Sequence, residues 1–397
     1  MRIGIDLSSI DKSSINQGVF TYAFGLINGF HLIDKKNLFQ IYVHKDLKDY
    51  LKKKINFKNF EIVEIKKNLP ILKKINTIIN LTLGFFGINS LFIHSFLTNI
   101  INSRNKLIFE KKSDLLIFLN AHEQSYNLKI SSIINFHDVM HKSYPEYLGK
   151  KDVIMRNLIY QNSANSSDYI IASSRSMKKE FISLMGIKKS KIILINEGVN
   201  KNKFSKITKR KVKKKYFFYP AQFWEHKNHI QLIEEFQKFK LKSKSDVKLY
   251  LCGKKKKFYG DVKKYIEKQN TKDIVYLGEL STNMLNKYYL NCEAVVMPSL
   301  YESSSLVILE GISNKKVVIA SDISPNKELS KFFKLFLFKL NKKNDLSDKL
   351  DKVLKLNLKI KKKIVNHNVT KIDRYLWKNI AIKYNKLIKE RLIVNND

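Results

Sequence analysis

The stretch EAVVMPSLYESSSLVILEGISNKKVVIAS, residues 293–321, decides the fold. Four apolar residues, 294–297, stop at Pro298; a serine turn follows, then a helix-length segment, then a second apolar run at 317–320. Short apolar runs bounded by turn residues read as buried strands, and strand, helix and strand in that order belong to a parallel sheet. Two glutamates flank the serine turn. Glu302 falls in the loop at the carboxyl end of the first strand, and Glu310 lies about one and a half turns into a helix whose Leu306, Val307, Ile308 and Leu309 are apolar. A buried carboxylate costs free energy unless donors meet it. The vicinal hydroxyls of a ribose would meet Glu310, and the backbone N–H groups at the helix start, around Ser303, Ser304, Ser305 and Leu306, would suit a diphosphate. The plainer alternative is that Glu302 favours the helix dipole and Glu310 caps or pairs with a lysine.

The same alternation runs outward in both directions. Upstream, strands are expected at 2–6, 40–43, 60–65, 115–119, 131–136, 169–172 and 191–195, with helices such as 19–32, 153–163 and 176–184 between them. Residues 196–215 break the periodicity with glycine, asparagine and a dense lysine run. The pattern restarts with strands at 216–219, 247–252, 274–276, 294–297 and 317–320, and helices at 228–239, 258–268, 283–290 and 305–313. The expected architecture is α/β, with two Rossmann-like doubly wound domains: an N-terminal domain at 1–196, a linker at 197–215 and a C-terminal domain at 216–372. A last helix, 373–397, carries an apolar stripe through Leu376, Ile380, Tyr384 and Leu387 that needs a surface to cover it. In such sheets, ligands bind beyond the carboxyl ends of the strands.

Composition narrows the partners. The 397 residues hold 75 Lys and Arg against 35 Asp and Glu, a formal net charge of +40, which attracts polyanions: nucleic acid, anionic headgroups or phosphorylated substrates. The lysine-rich linker has Phe204 as its sole aromatic residue, so nucleic acid is not the expected partner. Two cysteines, Cys252 and Cys292, supply neither a disulfide framework nor a zinc motif. The N-terminus lacks the long apolar core of an export signal, which points to a cytoplasmic protein. Residues 77–101 carry no formal charge between Lys73-Lys74 and Arg104-Lys106. Their length would permit a membrane span, but Asn80, Asn89, His94 and Asn99, with Gly84 and Gly87 in the middle, argue for a buried helical pair or for a face resting on an anionic membrane via 70–110.

Other candidates sit at strand ends. Lys227 follows the first strand of the second domain at a helix start, where it could hold the same diphosphate as the serine turn. His137 ends the strand 131–136. Gly18 closes the Asn16-Gln17-Gly18 loop after the first strand, where a missing side chain lets backbone approach a ligand. The chain has no G-x-x-x-x-G-K-[ST], no G-x-G-x-x-G after a strand, no H-E-x-x-H, no G-x-S-x-G and no D-x-D pair.

Several segments together resemble the family 4 (group 1) glycosyltransferases of the GT-B fold: PSLYESSSLVILEGISNKKVVIASDISPNKEL, YPAQFWEHKNH, FHDVMHKSYPEYL, IIASSRSMKKEFISLMGIKKSKIILINEGVNKNKF and YLGELSTNMLNKYY. The resemblance spans almost the whole chain. It implies two domains facing across a cleft, a nucleotide-sugar as co-substrate with no other cofactor, and no metal. It places Glu302 against the donor sugar, Glu310 on the ribose, Lys227 on the diphosphate, His137 on the transferred sugar, and Gly18 near the phosphate or acceptor. The family often has glycines where Ser303 and Ser305 stand, and an arginine where this chain has Gln222, which removes one charge from the donor site. The implied function is retaining transfer of a sugar from a UDP- or GDP-sugar to a glycan or lipid-linked glycan, at the cytoplasmic membrane face. An epimerase or phosphorylase on the same scaffold, and a non-catalytic polyanion-binding protein, are the alternatives.

Overall fold

Strands here are short runs rich in Ile, Val, Leu and Phe, with little polar alternation; such runs are buried on both faces, as central parallel strands must be. The computed structural model describes residues 1–12, 15, 18–67, 69–121, 126–200 and 215–390. Two compact units result, Met1–Gly198 with Trp377–Asp397, and Val199–Leu376. Most of the expected linker, 201–214, together with Asn16, Gln17 and the end of the last helix, 391–397, lies outside the described residues.

The first unit holds β1 (Arg2–Asp6), β2 (Leu38–Val43), β3 (Phe60–Glu64), β4 (Leu115–Phe118), β5 (Ser131–Phe136), β6 (Tyr169–Ala172) and β7 (Ile192–Leu194). They pair in the order β3-β2-β1-β4-β5-β6-β7, every pair parallel. The second unit holds β8 (Tyr216–Pro220), β9 (Lys248–Cys252), β10 (Ile274–Tyr276), β11 (Ala294–Met297), β12 (Val317–Ser321) and β13 (Phe336–Phe338), ordered β10-β9-β8-β11-β12-β13 and again parallel. Each order reverses direction once, between β1 and β4 and between β8 and β11. Those reversals open the crevices where ligands bind in doubly wound sheets.

The helix Trp377–Ile388 covers Ile380, Tyr384 and Leu387 on the first unit, against the helix Gly18–Ile33, whereas Leu376, expected in the same stripe, precedes the helix and packs on the second unit's core. Glycine makes this possible. A Cβ at Gly25 or at Gly198 would overlap the Trp377 indole, and one at Gly29 would lie 2.5 Å from the Trp377 carbonyl oxygen. The ring of Tyr22 meets Trp377 edge-on at 5.1 Å. Below it, the Tyr384 hydroxyl reaches Asn135 Oδ1 on β5 at 2.5 Å and the Tyr22 hydroxyl at 2.8 Å.

The uncharged segment folds as two helices, Pro70–Phe85 and Leu91–Lys112, and no helix among the described residues is long and apolar enough to cross a membrane. The break falls at Gly87, whose φ of +74° lies in the left-handed region. Gly84 plays a different part: it continues the first helix, and a Cβ there would sit 2.5 Å from Ile154. The strand β13 and the helices Asp345–Lys355 and Leu358–Val369 were not expected from the sequence: β13 has three residues, lysines blur the apolar period of Leu358–Val369, and Asp345–Lys355 was missed despite its stripe of Leu346, Leu350 and Val353.

Gly25→Ala is expected to lower the unfolding free energy of the first unit by about 1–3 kcal/mol through overpacking. Gly18→Ala, whose new Cβ meets nothing within 4 Å, is expected to leave it unchanged. Paired thermal melts check the contrast.

Candidate functional site

In the second unit, the loops leaving β8 and β11 meet at the reversal point. β8 ends in Tyr219 and Pro220, and the chain then makes a single 3-10 turn, Glu225–Lys227, before the helix His229–Ser243. The two loops are fastened by backbone and side chain. Leu300 N donates to His226 O at 2.8 Å and Asn228 Nδ2 to Pro298 O at 3.1 Å, while within the β8 segment itself the Tyr219 hydroxyl donates to Lys227 O at 2.9 Å. Asn228 takes the left-handed conformation, φ +58°, to turn the chain into the helix. Gly253 after β9, at φ +143°, is required as glycine because a Cβ would collide with the Ala221 carbonyl.

Across this seam Lys227 Nζ lies 2.7 Å from Glu302 Oε1, both side chains mostly buried. Burial alone would raise the Glu302 carboxyl, but the charge and hydrogen bond of Lys227, with a hydrogen bond from Ser299, hold it below the usual carboxylate range. The helix Leu306–Ser313 starts at Ser305, itself in the left-handed region at φ +58°. A side chain there is strained. Its hydroxyl donates to Asn326 Oδ1, Asn326 Nδ2 donates to Ser321 O at 2.8 Å, and the Ser321 hydroxyl donates to Ser299 O at 2.6 Å. A buried polar chain thus runs from the helix start back to the loop that carries Glu302. Ser303, Ser304 and Leu306 are half-buried beside it.

Glu310, one face further along that helix, pairs with no lysine among the described residues. It accepts from the Tyr289 hydroxyl at 2.5 Å, and burial raises its carboxyl despite that bond. Gln222 Oε1 accepts from the Trp224 indole at 3.1 Å. The structure therefore joins Lys227, Glu302 and the serine turn through direct or relayed hydrogen bonds, and ties Glu310 and Gln222 to aromatic partners that sequence reasoning did not single out.

In the first unit His137 follows β5. Its Nε2 lies 2.8 Å from Leu119 O and its Nδ1 3.2 Å from Glu197 Oε1. Both neighbours are acceptors, so two N–H donors satisfy the ring. Burial opposes the charge, yet the hydrogen bond and charge of Glu197 outweigh it and raise the imidazole above its ordinary value. Glu197 was absent from the sequence candidates; its only signal was its place just after β7. Gly18 is exposed at the first position of its helix. Asp6, at the carboxyl end of β1, was also missed. It is buried, accepts from Ser8 N at 2.9 Å and Ser8 Oγ at 3.0 Å, and burial pushes its carboxyl up to about 6. A cavity of about 340 Å³ lies elsewhere in this unit, between the turn 84–91 and the helix Lys150–Ser166, and no candidate residue lines it. Among the described residues no three His, Cys, Asp or Glu side chains gather as metal ligands would.

These two doubly wound units form the GT-B architecture. Residues 200–371 match the family model for glycosyl transferases group 1 and residues 94–203 that for glycosyltransferase family 4, together covering well over half the chain. The chain belongs to the group 1 glycosyltransferases. It is similar to the O-antigen chain mannosyltransferase RfbU of Salmonella typhimurium, 27% identical over 190 residues, which are 48% of this chain and 52% of that protein. The chain thus spans about half the length of this curated relative. In fold it is similar to Anabaena HepE in complex with UDP and glucose (TM-score 0.69, 15% identity, 98% and 99% of the two chains). It is likewise similar to sucrose-phosphate synthase from Thermosynechococcus elongatus (TM-score 0.70, 14% identity, 98% of each).

Two outcomes test this description. Lys227→Met strands a mostly buried carboxylate and is expected to cost about 2 kcal/mol, most of it recovered when Glu302→Gln is added. For Asp6, the folded carboxyl binds its proton up to a pH of about 6, against 3.8 ordinarily. The folded state therefore holds more protons between those values, and stability falls as pH rises through that window and levels off above it. Asp6→Asn is expected to remove that slope in denaturant melts run from pH 3.5 to 7.

Proposed function

We propose that the protein transfers a hexosyl unit from a UDP- or GDP-sugar to a glycan acceptor, one carried on a lipid at the cytoplasmic membrane face, with retention of anomeric configuration and without a metal. The observation that carries this reading is the Lys227–Glu302 contact at the β8/β11 reversal, beside the start of the helix Leu306–Ser313. A cation and a helix N-terminus at one crevice suit a diphosphate. Membership of the group 1 glycosyltransferases supports the class of reaction. The glycosyltransfer named for RfbU and the UDP and glucose named for the HepE complex support the donor type.

In this scheme Lys227 and the amides of Ser303, Ser304, Ser305 and Leu306 hold the diphosphate, and Glu310, braced by Tyr289, accepts the ribose hydroxyls. Gln222 replaces a charge beside the phosphates with a neutral amide. Glu302 lies against the donor sugar, His137 against the transferred sugar, and Gly18 leaves room near the phosphate or acceptor. The acceptor hydroxyl oxygen forms the new bond to the anomeric carbon while the bond from that carbon to the diphosphate oxygen breaks. The departing diphosphate takes the acceptor proton, and Lys227 stabilises its charge, a contribution that belongs to the transition state.

Thermal unfolding of the full chain with UDP, GDP or ADP is the first test. UDP or GDP is expected to raise the midpoint, because a ligand that binds only the folded state stabilises it; no shift with any of the three sinks the donor reading. Lys227→Ala and Glu310→Ala are each expected to lower turnover at least about a hundredfold, and product that forms without an added acceptor would favour the epimerase.

A further inference from the structure

The helical pair Pro70–Phe85 and Leu91–Lys112 is built inside out. The fully buried residues of its first helix are two asparagines, Asn76 and Asn80. The second buries His94, Thr98, Asn102 and Asn105 beside Ile101 and Phe109. Several of these polar groups are hydrogen-bonded: Asn80 Nδ2 donates to Asn76 Oδ1 at 2.6 Å, the Ser90 hydroxyl to Asn80 Oδ1 at 2.6 Å, and Asn162 Nδ2, from the helix Lys150–Ser166, to the Thr98 hydroxyl at 3.2 Å. The apolar residues point the other way. Twelve of the twenty-three exposed large apolar side chains among the described residues fall between Leu69 and Leu107. Phe86 is 78% exposed, Phe92 84%, Ile71 72% and Ile78 64%. They recur at helical spacing, Ile71, Ile75 and Ile78 on one helix and Phe92, Phe96 and Ile100 on the other, so each helix presents an apolar stripe outward. A contiguous apolar face of this kind marks an interaction surface.

Charge selects the occupant. From Ile65 to Phe109 the sequence contains no Asp or Glu, while Lys66, Lys67, Lys73, Lys74, Arg104 and Lys106 flank the stripes along the chain; Lys67 pairs with Asp46 and Lys106 with Glu110. A second copy of this chain would bring the same cations against themselves, on a molecule of net charge +40. An anionic lipid surface offers both the acyl boundary for the stripes and phosphates for the rim, the combination that holds interfacial helices. We propose that this helical pair is a bilayer-docking platform that lies in the headgroup region of anionic membranes, Phe86 and Phe92 reaching furthest. The buried asparagines fit this arrangement. The Ser90–Asn80 bond ties the start of the second helix to the first, while the exposed apolar side chains stay on the outer faces. The inference stands apart from sugar transfer, since it needs no donor and no acceptor.

Flotation of the full chain with vesicles of phosphatidylglycerol and phosphatidylcholine tests it. The wild type is expected to float with vesicles containing about one third anionic lipid and to remain below with pure phosphatidylcholine. Phe86→Asp/Phe92→Asp, two exposed positions where no packing is lost, is expected to lower partitioning at least about tenfold with an unchanged melting curve. Partitioning that survives this double substitution overturns the proposal, as does binding to neither vesicle. Sedimentation without lipid supplies the competing outcome: a dimer that the same double substitution dissociates would assign the face to a second copy and overturn the bilayer as occupant.

Discussion

One ion pair holds the second unit's crevice in its present form. Lys227 and Glu302 are 75 residues apart in sequence, and the parallel order β8 beside β11 brings their loops to one edge. A cation so placed costs free energy to desolvate, and the carboxylate repays part of that cost only at close range. The remaining contacts across the seam, from Leu300 to His226 and from Asn228 to Pro298, fix the two backbones so that the pair is held at 2.7 Å and not merely permitted. An arriving diphosphate would compete with Glu302 for the same ammonium. A carboxylate that already holds the cation keeps the crevice from carrying a bare buried charge, and under the proposed donor site its displacement would set part of the free energy of donor capture.

Ser305 shows how a local strain is met by packing. The helix Leu306–Ser313 begins from a left-handed residue, a conformation that glycine adopts freely and serine does not. The serine persists because its hydroxyl opens the buried chain through Asn326 and Ser321 to Ser299. A glycine would ease the backbone and silence that chain. The hydroxyl binds the helix start to the loop bearing Glu302 through side chains. The first unit shows a parallel economy: Trp377 fits only because Gly25, Gly29 and Gly198 lack side chains, and Tyr22, edge-on to Trp377, also meets the His137 ring edge-on at 5.1 Å. The last helix therefore braces the two strand-end loops on which His137 and Glu197 pair.

The strands were legible because a central parallel strand has no polar face to hide its signal, so AVVM at 294–297 and VVIA at 317–320 could be read directly. The short β13 and the helix Leu358–Val369 were not, since three residues give no period and lysines outnumber the apolar positions that pack. Lys227 and Glu302 could be placed near one crevice from strand order, but not in contact, because that depends on the 3-10 turn that swings Lys227 round. Tyr289 and Glu197 were missed for one reason: each acts as the partner of a candidate, and partners distant in sequence carry no local mark.

The helical pair at 70–112 escaped a firm reading because its polarity is reversed. Asparagines, threonine and histidine inside an uncharged segment look like the cost of placing it in lipid, and this would be so if they faced outward. Folded, they face each other, and the cost falls instead on the phenylalanines and isoleucines left in water. A soluble protein under selection for stability alone would exchange those positions for lysine or glutamate at no packing loss, as the rest of this lysine-rich surface illustrates. Their retention on a face free of acidic residues is a standing free-energy cost, and such costs are sustained where an interaction offsets them.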